Sequence, residues 1–184
     1  IIFDLYRRAD TLEQFYFDNI ARRVEAGGAL LIAAGPDDAT ADSLFRTPLV
    51  GILPARPTGR MLTTPYRPAL SELGRRHPVT RGLPNPGSWG RWSRTIEVNG
   101  PAGQTLMTGA EGRPLLVLSR AGQGRVALLL SDQSWLWARG HDGGGPYGEL
   151  LRRTAHWLMQ EPDLDDERLT LTATEAGLVL ERTT

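Results

Sequence analysis

Two kinds of hydrophobic spacing divide this chain. Residues 29–34 and the stretch 125–131 are nearly unbroken apolar runs bounded by glycine. Runs of that kind suit strands buried on both faces of a sheet, where no polar side is needed. Residues 1–5 read as the end of another buried strand. Between them, Leu12, Phe15, Tyr16, Ile20 and Val24 recur at helical spacing. Asp10 and Thr11 are residue types that cap a helix start, each with Glu13 or Gln14 three positions on. Gly27 and Gly28 end the helix. Strand, helix, strand in this order predicts an α/β fold.

Further along, Asp42 starts a short helix through residue 53, and residues 54–68 hold too many prolines for long regular structure. Residues 71–86 read as a loop. Strands are expected over 92–98 and 104–109. Residues 115–120 and 125–131 form a hairpin joined by Ala121, Gly122, Gln123 and Gly124. A second helix spans 147–160, with Leu150, Leu151, Thr154, Ala155 and Leu158 inward and His156 on the polar side. After an acidic stretch, residues 168–173 and 178–182 alternate as a terminal β-hairpin. The expected division is an α/β domain over 1–162. Residues 163–184 form a hairpin extension or the start of a following β-domain.

Composition narrows the function. The 21 basic and 21 acidic residues cancel, which removes the positive field of a nucleic-acid binder. The absence of Cys excludes disulfides, thiolate metal sites and a cysteine nucleophile. No apolar run approaches the ~18 residues that span a membrane, so no membrane contact by this segment is expected. The chain begins at Ile1 inside an apolar run, which suggests a fragment of a longer protein.

Candidate chemistry gathers after the strands, where α/β proteins place ligands. Residues 29–35 end in a small-residue corner, Ala33, Ala34 and Gly35, of the sort that carries a nucleophile in many hydrolases. Here it carries none. Asp37 and Asp38 follow. Beyond the strand at 125–131 stand Asp132, Gln133, Ser134 and His141. Continued strand geometry would place Asp132 and Ser134 on one face. Asp132, Gln133, Ser134, His141 and Asp37 are the expected ligand-binding residues. A Ser–His–Asp grouping of Ser134, His141 and Asp132 is the alternative, hydrolytic reading. Gly143, Gly144 and Gly145 before Pro146 lack the phosphate-loop pattern. The three histidines have no metal-ligand spacing, and neither metal nor cofactor is expected. Trp135, Trp137 and Trp157 are expected to pack together. Trp89 and Trp92, flanked by Arg91 and Arg94, suggest a stacked surface.

The order GGALLIAAG, TPLVGILP, RRHPVTRGLP, PLLVLSRAGQGRVALLLSDQSWLWARGHDGGGP and LLRRTAHWLMQEP resembles the class I glutamine amidotransferase-like domain of uncharacterised bacterial membrane proteins. The likeness runs to about Pro162, and its last long block is the most specific part. It implies a flavodoxin-like three-layer α/β sandwich with a mostly parallel sheet. It also implies a soluble domain of a larger, membrane-anchored cell-envelope protein. True amidotransferases place a Cys after the strand matching residues 30–32 and a His-x-Glu pair after the strand matching 125–130. The resemblance maps the first onto Ala33, or Ala34 one register later, and the second onto Asp132, Gln133 and Ser134. With thiolate and base replaced, glutamine hydrolysis has no mechanism. The expectation is a pseudoenzyme that binds a small ligand or a protein partner, as a sensing or scaffolding module.

Overall fold

The computed structural model of the chain describes residues 1–8, 11–161, 168–174 and 177–183, with side chains through residue 161. A central sheet of six strands runs in the order β1 (Ile2–Asp4), β2 (Ala29–Ala33), β8 (Gly124–Leu129), β7 (Pro114–Ala121), β6 (Gln104–Thr108) and β4 (Ala69–Leu70). β1 pairs parallel to β2, and β2 parallel to β8; the other three pairings are antiparallel. Four strands, β1, β2, β8 and β6, therefore point the same way, with β7 and β4 against them. A separate pair joins β3 (Arg56–Leu62) antiparallel to β5 (Thr95–Asn99).

Each face of the sheet carries its own core. Leu30, Ile32, Val126 and Leu128 face helix α1 (Gln14–Glu25) and residues Leu44, Leu49, Ile96 and Val98. Leu31, Leu116, Ala127 and Leu129 face helix α3 (Tyr147–Leu158) and three tryptophans. Burial on both sides explains why β2 and β8 show no polar alternation. Each such Leu or Ile contributes roughly 1.5–3 kcal/mol of transfer free energy. The result is the expected three-layer α/β sandwich. The terminal hairpin is also present, pairing β9 (Arg168–Thr174) with β10 (Gly177–Thr183).

Several elements differ from expectation. α1 starts at Gln14, and Phe17 and Val24 are its buried positions, flanked by Ile20 and Ala21. Phe15 and Tyr16 are instead 50% and 45% exposed and stack on each other at 4.0 Å. Asp10 lies outside the described residues. The helix expected over 42–53 is two single turns, Leu44–Arg46 and Pro48–Gly51. Thr47 between them is extended, as a residue before proline tends to be, and Pro48 has no N–H to continue a helical ladder. Residues 54–68 hold β3 despite their prolines. Pairing with β5 supplies its ladder, and a shift in register between Pro57 and Met61 absorbs the irregular residues. The strand expected from 92 starts at Thr95; Trp92 makes only an isolated bridge to Tyr66.

Candidate functional site

β2 and β8 are neighbours and end side by side, so the turns after them meet. The Ala34 amide donates to Leu129 O at 2.8 Å. Past Leu129 the chain leaves the ladder, runs through Ser131, Asp132, Gln133 and Ser134, and enters the short helix α2 (Trp135–Ala138). Asp132 and Ser134 are therefore not strand residues, and the shared face expected for them does not exist.

Both Asp132 and Gln133 are buried and hold one segment, residues 93–94. The Arg94 guanidinium grips the Asp132 carboxylate with two nitrogens, Nε donating to Oδ1 at 2.8 Å. Gln133 Oε1 accepts the backbone amides of Ser93 at 2.6 Å and Arg94 at 3.2 Å, while Nε2 donates to Ser93 Oγ. Ser131 Oγ and the Tyr66 hydroxyl both donate to Arg94 O, at 2.8 and 3.1 Å. Burial pushes the Tyr66 phenol up to about 12. The Asp132 carboxylate raises the Arg94 guanidinium, and partial desolvation, followed by the Asp132 charge, raises the Asp4 carboxyl. This polar network thus has a positioning role within the fold.

The corner after β2 is closed. Neither Ala33, Ala34 nor Gly35 has a left-handed φ, so the corner lacks the backbone strain of a nucleophile-bearing turn. A Cβ on Gly35 would fall 2.4 Å from Leu5 Cδ2, so the Leu5 side chain lies directly over the corner. The crevice between Ala34, Gly35, Arg94 and Asp132 is too tight to hold a water molecule. Asp37 is half-buried just beyond, but its neighbour Asp38 is the engaged carboxylate. Asp38 is buried and accepts from Gly35 N at 3.0 Å, and from Ser43 Oγ and Leu44 N at 3.2 Å each. Desolvation raises its pKa against those hydrogen bonds.

Ser134 stands at the start of α2 without a side-chain cap bond. His141 is exposed in a single turn, His141–Gly143. Among the described residues no hydrogen bond links Ser134 to Asp132 or His141, and no three His, Asp or Glu side chains are placed to hold a metal. The structure brings Asp132 and Gln133 together on residues 93–94, and leaves Ser134, His141 and Asp37 outside that network. Gly143 and Gly144 have φ of 94° and 70°, a backbone need that accounts for the glycine run. Asp142, beside them, pairs with Arg91 at 2.8 Å and with Arg67 at 3.5 Å.

The tryptophans are also arranged differently. Trp137 packs on Trp89 and Trp92, at 5.3 and 4.7 Å between ring centroids, and donates to Gly90 O. Trp89 and Trp92 are core, not a surface for stacking, and their neighbouring arginines pair with Asp142 and Asp132. Trp157 meets His77 and Arg125 instead, and Trp135 is exposed beside Arg139. The sequence marks Asp38 and Arg94 only in passing, and the contacts that each makes are not foreseen. Asp38 is named beside Asp37, whereas the contact between Arg94 and Asp132 spans 38 positions and leaves no local signal.

No protein-family model and no curated protein matches the sequence. Solved structures do. Two cytoplasmic proteins from Salmonella typhimurium, STM3548 and STM1381, align with TM-scores of 0.64 each at 18% and 21% identity. They cover 81% and 78% of this chain, and the chain spans only 62% and 60% of theirs. A ThuA-like protein from Parabacteroides merdae aligns over 94% of this chain and 74% of its own, with a TM-score of 0.53 and 16% identity. The likeness shows the fold alone: a flavodoxin-like α/β fold, shared with the ThuA-like protein. No described helix is long and apolar enough to cross a membrane.

Proposed function

We propose that this chain is a non-catalytic amidotransferase-like domain that works as a binding module of a larger, membrane-associated bacterial protein. One observation carries the reading. The place where a reacting atom would sit, between the carboxyl ends of β2 and β8, is filled by Leu5 and by the Arg94–Asp132 pair. A nucleophile needs an open position beside a base and hydrogen-bond donors for the developing charge. Ala33 and Ala34 offer no nucleophile, and Asp132 already has its partner. What remains is a rigid sandwich whose loops can hold a small ligand or a protein. The association with a membrane protein comes from the sequence resemblance.

The test is hydrolysis. Purified protein is incubated with glutamine, and with short acyl esters of nitrophenol, and ammonia and nitrophenol are measured. Product at the level of the blank, unchanged in Ser134→Ala, supports the reading. Product that disappears in Ser134→Ala or Asp132→Asn overturns it in favour of a hydrolase.

A further inference from the structure

Beside the closed corner lies an open cleft of about 300 Å³, between residues 38–50 and the first residues of β3. That volume is at the small end of the range for metabolite sites. Arg46 and Arg56 line it, and both are exposed. Several arginines elsewhere are held by carboxylates, while others, such as Arg75 and Arg76, stand on the open surface. Arg60, on the same strand as Arg56, and Arg113 lie 3.8 and 3.2 Å from Glu97; Arg94 is taken by Asp132, and Arg152 and Arg153 by Glu149. Among the described residues Arg46 and Arg56 have no such partner. The single carboxylate in the lining, Asp38, is buried, and both its oxygens are occupied by Gly35, Ser43 and Leu44. The cleft therefore presents guanidinium donors with no free acid to satisfy them.

Its walls are fixed before any ligand arrives. Asp38 ties the turn Pro36–Ala39 to the next turn at Leu44. Leu44 and Phe45, immediately before Arg46, are buried in the core. Arg56 opens a strand paired to Asn99. Arginine on a held backbone recognises planar or tetrahedral oxyanions with two parallel donors, and little ordering remains to be done on binding.

We propose that this cleft binds a small organic anion through a phosphate or carboxylate group held by Arg46 and Arg56. The inference rests on the binding-module reading above and names the chemistry of its ligand. The experiment is calorimetric titration at constant ionic strength with inorganic phosphate, glycerol 3-phosphate, succinate and, as the uncharged control, glycerol. At least one anion is expected to bind, with an affinity falling about tenfold or more when either arginine is lost, as charge-assisted contacts imply. Arg46→Gln and Arg56→Gln test this singly and together; Arg75→Gln, at an exposed arginine outside the cleft, leaves binding unchanged. Preference for the phosphates or for succinate tells the two sources apart, and either supports the site. Absence of binding by every anion overturns it. So does undiminished binding in the double variant, whose unaltered melting temperature without ligand shows that the fold is intact. Failure of binding with no hydrolysis sinks the cleft alone. Binding together with turnover keeps the cleft and sinks the non-catalytic reading.

Discussion

Cutting the guanidinium from Arg94 should harm the fold more than removing the carboxylate it holds. The Asp132 side chain is 2% exposed, and that of Arg94 37%. In Arg94→Met the carboxylate stays behind without its partner. It cannot move to water, because Gln133, Ser131 and Tyr66 still fasten residues 93–94 over it. Removing one partner of a buried pair costs about 3–5 kcal/mol. Arg94 is more than a third exposed, so water reaches part of the gap and the cost falls to about 2–3 kcal/mol. In Asp132→Ala the freed guanidinium turns into solvent, and the cost is about 1 kcal/mol. Adding Asp132→Ala to Arg94→Met should therefore restore stability toward the level of Asp132→Ala alone. Urea unfolding followed by tryptophan fluorescence measures all four proteins. Against a total stability of about 5–15 kcal/mol the differences are large. The reasoning is refuted if Arg94→Met costs less than Asp132→Ala, or if the double variant is the sum of the two singles.

Two further predictions concern carboxylates elsewhere. Asp38→Ala leaves the amides of Gly35 and Leu44 and the Ser43 hydroxyl without their acceptor, and should cost roughly 2–3 kcal/mol by the same unfolding assay. An unchanged midpoint would mean that the turn has another anchor. Asp142 is lowered to about 2 by its hydrogen bonds to Arg91, and Glu149 to about 2 by Arg152 and Arg153. A depressed carboxyl adds stability that is present above its unfolded value, near 4, and is lost as pH falls toward 2. The melting temperature should decline across that window, and less steeply in an Asp142→Asn, Glu149→Gln variant. Equal slopes would show that other groups control the acid limb.

The layers of the fold were legible because burial leaves a local trace. Residues buried on both faces of β2 and β8 are apolar without alternation, and the inner stripe of α3 repeats every three or four positions. The hairpin of β7 and β8 and the terminal hairpin were equally readable from their turns. β3 was not, because its sequence RPTGRML has neither period; it is a strand only because β5 lies beside it. Leu12, Ile20 and Val24 of the expected inward face of α1 do meet the core, but Phe15 and Tyr16 give way to Phe17, because three successive aromatic residues leave the choice to the actual start of the helix. That β2 and β8 are neighbours was not legible, though the corner at Ala33–Ala34 and the turn at Asp132–Ser134 each follow a strand, as expected. Their closure was not visible, since Leu5 and Arg94 reach them from distant parts of the chain.

That closure is the central claim, and the chain offers a clean probe of it because it contains no cysteine. Ala34→Cys places a thiol in the corner, where Ala34 is 1% exposed; Asp18→Cys places one on the exposed side of α1. Alkylation rates are compared, each normalised to its rate in urea. A closed corner reacts only when the structure opens locally, and opening by about 3 kcal/mol slows the reaction by about a hundredfold. The account predicts at least that protection at position 34. Reaction at the rate of the exposed control would mean an accessible pocket at the end of β2, and would contradict it.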